Sequence, residues 1–202
     1  MHSAGTVDGP GGLSVWSEYH DGFFETNVTT GIYFTRKDGA GNWVRTRIHS
    51  ESGYFYISAS RTGNVIGVTR VSGTGNAYIN SVRAGHVSVF PVTMSGGLPS
   101  LGARRFVATI GTHSISGDGR FVIGHEVAHY NMLGGSSGSN VIRQFNIEDL
   151  DNISEAAPLT SDLPANARLH GGLTEDASGR IIGAYFTSHW RNPAFIYAID
   201  RE

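Results

Sequence analysis

The chain has 202 residues, of which 39% are hydrophobic and 16% charged, with no cysteine and a formal net charge of −2. That length suits one domain with a real core or two very small ones. The absence of cysteine excludes disulfides, thiolate zinc sites and a cysteine nucleophile, and the weak net charge excludes a basic field for nucleic acid or anionic lipid.

Glycine occurs 28 times, about twice its usual share, without a collagen period, so the chain is expected to turn often and tightly. Lys37 is the single lysine. No run approaches the roughly 18 apolar residues of a membrane span. The opening "MHSAGTVDGPGG" lacks a charged-then-apolar signal pattern, and an extracellular, periplasmic or phage-surface location is compatible with the composition. Asn27-Val28-Thr29 spells a glycosylation sequon.

In chain order, "GYFYISAS" (53–60), "NVIGVTRVS" (64–72), "HVSVFPV" (86–92), "RFVATIG" (105–111), "NVIRQFNIE" (140–148) and "AFIYAID" (194–200) read as strands. Their apolar residues alternate or form short runs, and clusters such as "SGTGN", "SGDGR" and "EDASGR" bound them. No amphipathic pattern long enough for a helix stands out, so the expected class is all-β.

Self-comparison adds a repeat. "TGNVIGVTRVSG" (62–73), "DGRFVIGHEVAHY" (118–130) and "SGRIIGAYFTSHW" (178–190) share a turn, an apolar pair, Ile-Gly and a polar end. Upstream of each stands a histidine before a small residue, at His49, His113 and His170, and a looser copy runs from His2 to His20. A unit near 50 to 60 residues with three or four strands predicts a β-propeller-like array of about four blades, standing alone or as part of a larger propeller. The copies fall at approximately 2–48, 49–104, 105–167 and 168–202, and together form one domain. The last copy lacks its outer strand, so the N-terminal region, a homo-oligomeric partner or further blades would have to complete it.

"HEVAH" (125–129) is a literal H-E-x-x-H, and "VIGHEVAH" resembles the apolar-flanked active helix of zinc peptidases. The repeat instead aligns it with strand residues Val68–Ser72 and Ala184–Ser188. In a strand, residues four apart lie roughly 13 Å from each other, too far for two ligands with zinc–nitrogen bonds of about 2 Å.

His49, His113 and His170 are expected to open innermost strands and to converge on the axis, where neutral imidazoles could hold a divalent metal; the bland alternative is a repeated tie between blades. His20, His129 and His189 are expected to end middle strands at a binding face. There Asn131, Trp190, Arg191 and Asn192, with Trp16, Tyr130 and Tyr185, suit a glycan: flat rings cover sugar C–H surface and polar groups meet hydroxyls. The plain alternative is aromatic packing between blades.

The stretch "HGGLTEDASGRIIGAYFTSH" (170–189) resembles the repeats of BNR/sialidase-like propellers and of propeller-type polysaccharide lyases. A full S-x-D-x-G-x-x-W box is missing. The lyase resemblance implies β-elimination, with His129 or His189 as base, Tyr130 or Tyr185 as acid, and Arg191 or Arg168 neutralising a uronate carboxylate. Glu18, Glu25, Glu126, Glu148 and Glu175 could instead include a glycosidase pair. The leading expectation is a carbohydrate-directed propeller binding or cleaving a polysaccharide; a zinc peptidase and a structural or protein-interaction propeller are the alternatives.

Overall fold

The computed structural model describes residues 4–7, 12–17, 20–27, 29–70, 85–110, 113–125, 129–130, 136–137, 142–159, 167–175, 180–187 and 194–199. Every regular element among them is a strand. The first sheet runs β1 (Ala4–Val7), β2 (Gly12–Ser17), β3 (Gly22–Asn27), β4 (Gly31–Lys37) and β5 (Trp43–His49) in simple meander order. The second is built from β6 (Tyr54–Ala59), β7 (Val65–Arg70), β8 (Gly85–Ser95), β9 (Leu98–Leu101) and β10 (Arg105–Ile110); β8 is long enough to pair with β10 over one half and β9 over the other.

The third sheet comprises β11 (His113–Ile115), β12 (Phe121–His125), β15 (Ile142–Asn146) and β16 (Ser154–Glu155). The hairpin of β13 (His129–Tyr130) and β14 (Ser136–Ser137) interrupts it in sequence. The last sheet has three strands, β17 (Ala167–Glu175), β18 (Ile181–Thr187) and β19 (Ala194–Ile199). All pairings are antiparallel. The first strands β6, β11 and β17 neighbour one another, so the later sheets share an inner edge.

Alternation explains why the second sheet sits at the centre of the packing. Along β7, Ile66 and Val68 join Phe24, Ile32 and Phe34 of the first sheet, with Tyr54, Ile57 and Phe90, in one core. Val65 points the other way, into a second core with Val87, Val89 and Ile110 and with Ile115, Val122 and Phe145 of the third sheet. A strand buried on both faces reads as a continuous apolar run, and "VIGV" is one.

The side-chain period of two also corrects the repeat alignment. Ile66 faces the first sheet, but in β12 it is Val122 that faces back to the preceding sheet, and a Cβ on Gly124 would run into Ile110 of the second sheet. Gly67 faces forward instead, against His113 of the third sheet. Aligning the two Ile-Gly pairs therefore sets every side chain one position out of register. The pairs His113↔Gly124 and Ile57↔Val68 are the true counterparts.

The turns follow the same correspondence. Ser60 accepts from the Val65 amide at 3.3 Å, and Ser116 from the Phe121 amide at 2.9 Å, each hydroxyl closing the turn before a middle strand. Gly63 and Gly119 take φ of 67° and 77°, where a side chain would strain the turn. The two turns touch: the Arg61 amide donates to the Gly117 carbonyl at 3.0 Å.

Candidate functional site

Among the described residues, the richest polar cluster lies where the chain crosses from β5 to β6. Glu51 is at its centre. Arg70, the last residue of β7, reaches one carboxylate oxygen at 2.5 Å, and Arg104, just before β10, reaches the other at 2.7 Å. The Tyr54 hydroxyl donates to that second oxygen at 2.8 Å and accepts from Arg104 at 3.2 Å. His49 Nε2 stands 3.3 Å from the Tyr54 oxygen and 3.5 Å from Glu51.

Packing fixes this arrangement from below. Tyr54 is fully buried; its ring meets Phe90 edge-on at 6.2 Å, and the His49 ring lies 5.1 Å from Phe90. The charged ends stay accessible, with Arg70, Arg104 and Glu51 side chains 42%, 41% and 32% exposed. Burial alone would raise the Glu51 pKa, but the hydrogen bonds from Tyr54 and Arg104, with the Arg104 charge, bring it down to about 2. Burial and the Glu51 bond push Tyr54 up to about 12, so it remains a protonated donor. Two guanidiniums against one carboxylate leave a net positive charge and unused N–H donors at the surface.

His49 thus belongs to this cluster and not to an inner ring. It is the last residue of β5, at the far edge of the first sheet, opposite Ile32. His113 does open the first strand of its sheet, but its side chain is wedged between sheets, where it lines no channel. Nδ1 shares a hydrogen bond with the Thr69 hydroxyl at 3.0 Å, and the Tyr56 ring packs at 5.1 Å. Nε2 presses on the Gly67 backbone, 2.7 Å from where a Cβ would stand, without a partner of hydrogen-bonding geometry. Burial pushes its pKa down to about 4, and the nearby Gly67 backbone offsets only part of that. His49 and His113 therefore sit in different surroundings, one beside the Glu51 cluster and one between sheets. His170 lies in β17, where only the backbone is described. Among the described residues, no three metal-ligating side chains converge.

His20 is also displaced from its expected place. It precedes β3, at the end of the sheets that holds the 60–64 turn, and donates through Nε2 to the Gly63 carbonyl at 3.0 Å. The ring is buried edge-on against Phe24 and Phe34, at 6.0 and 6.5 Å. Arg70 marks the opposite end of the sheets, because Tyr54, the start of β6, pairs with it.

The corresponding end of β12 leads to His129 and that of β18 leads towards His189. His129 and Tyr130 form β13, Tyr185 lies in β18 and Trp16 in β2, with only their backbones described. Asn131, His189, Trp190, Arg191 and Asn192 lie outside the described residues, as does Glu126.

The H-E-x-x-H segment is not a helix at its ends. His125 closes β12, paired with Ile142, and His129 begins a different strand. Two zinc ligands on successive helical turns need the backbone that these ladders exclude. The metallopeptidase alternative is thereby corrected.

Glu51, Tyr54, Arg70 and Arg104 escaped the sequence reading, since the strands β6 to β9 lie between Glu51 and Arg104 in the chain. The readable signals were an arginine ending a strand in "VIGVTR" and the polar "HSES" between strands.

No protein-family model matches the sequence, and no curated protein is significantly similar to it. Among solved structures, a Trichoderma reesei carbohydrate-active enzyme of family AA12 matches with TM-score 0.57 at 12% identity, over 98% of this chain and 54% of that one. The PQQ domain of pyranose dehydrogenase from Coprinopsis cinerea, in its holo form, matches with TM-score 0.54 at 12% identity, over 97% and 52%. Both are propellers. The fold is a β-propeller array, and among the described residues its sheets do not close into a ring. The chain spans about half the length of these structures. The likeness is one of fold, and no sialidase or lyase repeat emerges from it.

Proposed function

We propose that this protein is a carbohydrate-directed propeller that binds an acidic glycan, with Arg70 and Arg104 around Glu51 as its anchor. The observation that carries this reading is the pair of half-exposed guanidiniums held by an ionised carboxylate and a buried tyrosine hydroxyl. Such a pair is preorganised: little side-chain freedom is left to lose when a ligand docks. A uronate carboxylate matches the planar donor fork of arginine, and the outer edge of Glu51 accepts from vicinal sugar hydroxyls.

The names of the two similar propellers, a carbohydrate-active enzyme and a pyranose dehydrogenase, favour a sugar as ligand. His129, Tyr130, Asn131, Tyr185, His189, Trp190, Arg191 and Asn192, with Trp16, extend the proposal as further glycan contacts, on the strength of their residue types alone. Cleavage would use His129 or His189 as base, as in the lyase-like reading. The partner proposed for the array is a second copy or further blades.

A glycan array carrying neutral and uronate-containing polysaccharides tests the binding, run beside an absorbance assay for unsaturated uronates. Retention of acidic glycans with no rise in absorbance is the expected result. Rising absorbance assigns the lyase chemistry instead, and silence in both assays removes the carbohydrate reading.

A further inference from the structure

Strand β10 carries a bulge. Arg105 and Phe106 pair with Val89 and Ser88 of β8, while Ala108 and Thr109 pair with Val87 and His86, so Val107 is an extra residue. In an unbroken strand Phe106 and Thr109, three positions apart, would face opposite ways. The bulge sets both on the face that carries Ser88 and His86. This face turns towards the first sheet: Ser88 and His86 pair on their other side with Val68 and Arg70, and Val68 belongs to the core shared with that sheet.

The result is a short surface beside the Glu51 cluster. Arg70, His86 and Thr109 stand opposite one another across three strands, a row of about 10 Å at the usual strand spacing. Phe106 ends the next row, in which Val68 and Ser88 are buried but the phenylalanine is 57% exposed. Its ring lies 5.8 Å from that of exposed His86. His86 Nδ1 shares a hydrogen bond with the Thr109 hydroxyl at 3.3 Å, which leaves Nε2 for a ligand. Arg104, two positions before Phe106, sends its guanidinium to Glu51, whereas Arg105 between them turns to Asp151.

A single exposed phenylalanine is ordinary, but one re-aimed by a bulge to stand beside two anchored guanidiniums is a feature of the kind bulges supply next to sites. A ring without a polar tip suits the C–H face of a pyranose, and an imidazole nitrogen at its edge suits a hydroxyl. We infer, resting on the acidic-glycan reading of the anchor, that Phe106 and His86 form a second sugar subsite, which takes the residue next to the uronate held by Arg70 and Arg104. The ligand is then an acidic oligosaccharide of at least two sugars, with its chain running from the arginines towards β10.

Two ligands separate the subsite from the anchor: a methyl uronoside, one sugar long and followed by NMR titration, and an oligouronate followed by calorimetry. Phe106→Ala should weaken the oligouronate about five- to tenfold and leave the uronoside within twofold of wild type. Phe106→Tyr, which keeps a ring, should restore the oligouronate, and Arg104→Met should weaken both ligands. Far-ultraviolet spectra matching wild type confirm that the exposed position tolerates each change. If Phe106→Ala holds the oligouronate like wild type while Arg104→Met does not, the anchor stands and the subsite falls. Equal weakening of both ligands by Phe106→Ala also overturns the subsite, because the ring would then only position Arg104. A wild type that binds neither ligand removes the acidic-glycan reading and the subsite with it.

Discussion

His113 gives the account its most quantitative consequence. The imidazole is fully buried, with one nitrogen shared with Thr69 and the other against Gly67, and its pKa falls to about 4 from 6.5. The unfolded chain takes up a proton on this residue below its ordinary pKa, whereas the folded chain resists until about pH 4. Between those values the unfolded state binds more protons, so stability contributed above pH 6.5 is lost as pH falls towards 4. At ~1.4 kcal/mol per pKa unit the loss comes to about 3 kcal/mol, a large part of the 5–15 kcal/mol typical of a whole domain. Urea unfolding at pH 7.5, 6.5, 5.5 and 4.5, on the wild type and on His113→Leu, isolates the effect. The variant is less stable at neutral pH through its unpaired Thr69, yet its stability should fall less steeply with acid. Parallel pH profiles for the two proteins would refute the reasoning, because they would mean that His113 is not held neutral between the sheets.

Three further outcomes follow from the same contacts. Gly67→Ala places a methyl 2.7 Å from His113 Nε2 and should cost roughly 1–3 kcal/mol in urea unfolding, with much of the cost relieved in the Gly67→Ala/His113→Ala double variant. Tyr54→Phe removes the hydroxyl between Glu51 and Arg104 and should cost about 1 kcal/mol; it should also raise the Glu51 pKa, read by carboxylate NMR titration. His20→Leu loses the bond to the Gly63 carbonyl, leaving that acceptor buried, and should lower the unfolding midpoint by the equivalent of about 1–2 kcal/mol without changing glycan retention.

The class of the fold was legible because its signals are local. The run "VIGV" and the serine-bounded turns at 60–64 and 116–120 specify strands and their ends without help from distant residues. Register was not legible. Ile66-Gly67 and Ile123-Gly124 share two letters but face opposite sheets, and only the packing of Gly124 on Ile110 and of Gly67 on His113 reveals it. The surroundings of the histidines were not legible either. His20, His49 and His113 look alike as letters before small or turn residues. One ties a turn, one flanks an ion cluster and one fills the space above a glycine. The Glu51 cluster needed three-dimensional knowledge outright, since Arg104 reaches it from 53 residues away. The first sheet yielded least. "GFFETN" and "WVRTRIH" mix apolar and charged residues because one face is core and the other carries Glu25, Arg45 and Trp43.

The central claim is that Arg70 and Arg104, set around Glu51, hold an acidic glycan, and calorimetric titration of a short oligouronate tests it most directly. The wild type should bind exothermically and more weakly as salt rises, and Arg104→Met should weaken binding about tenfold or more, the equivalent of one charge-assisted hydrogen bond. Equal affinity in the two proteins, or no heat from the wild type, would contradict it.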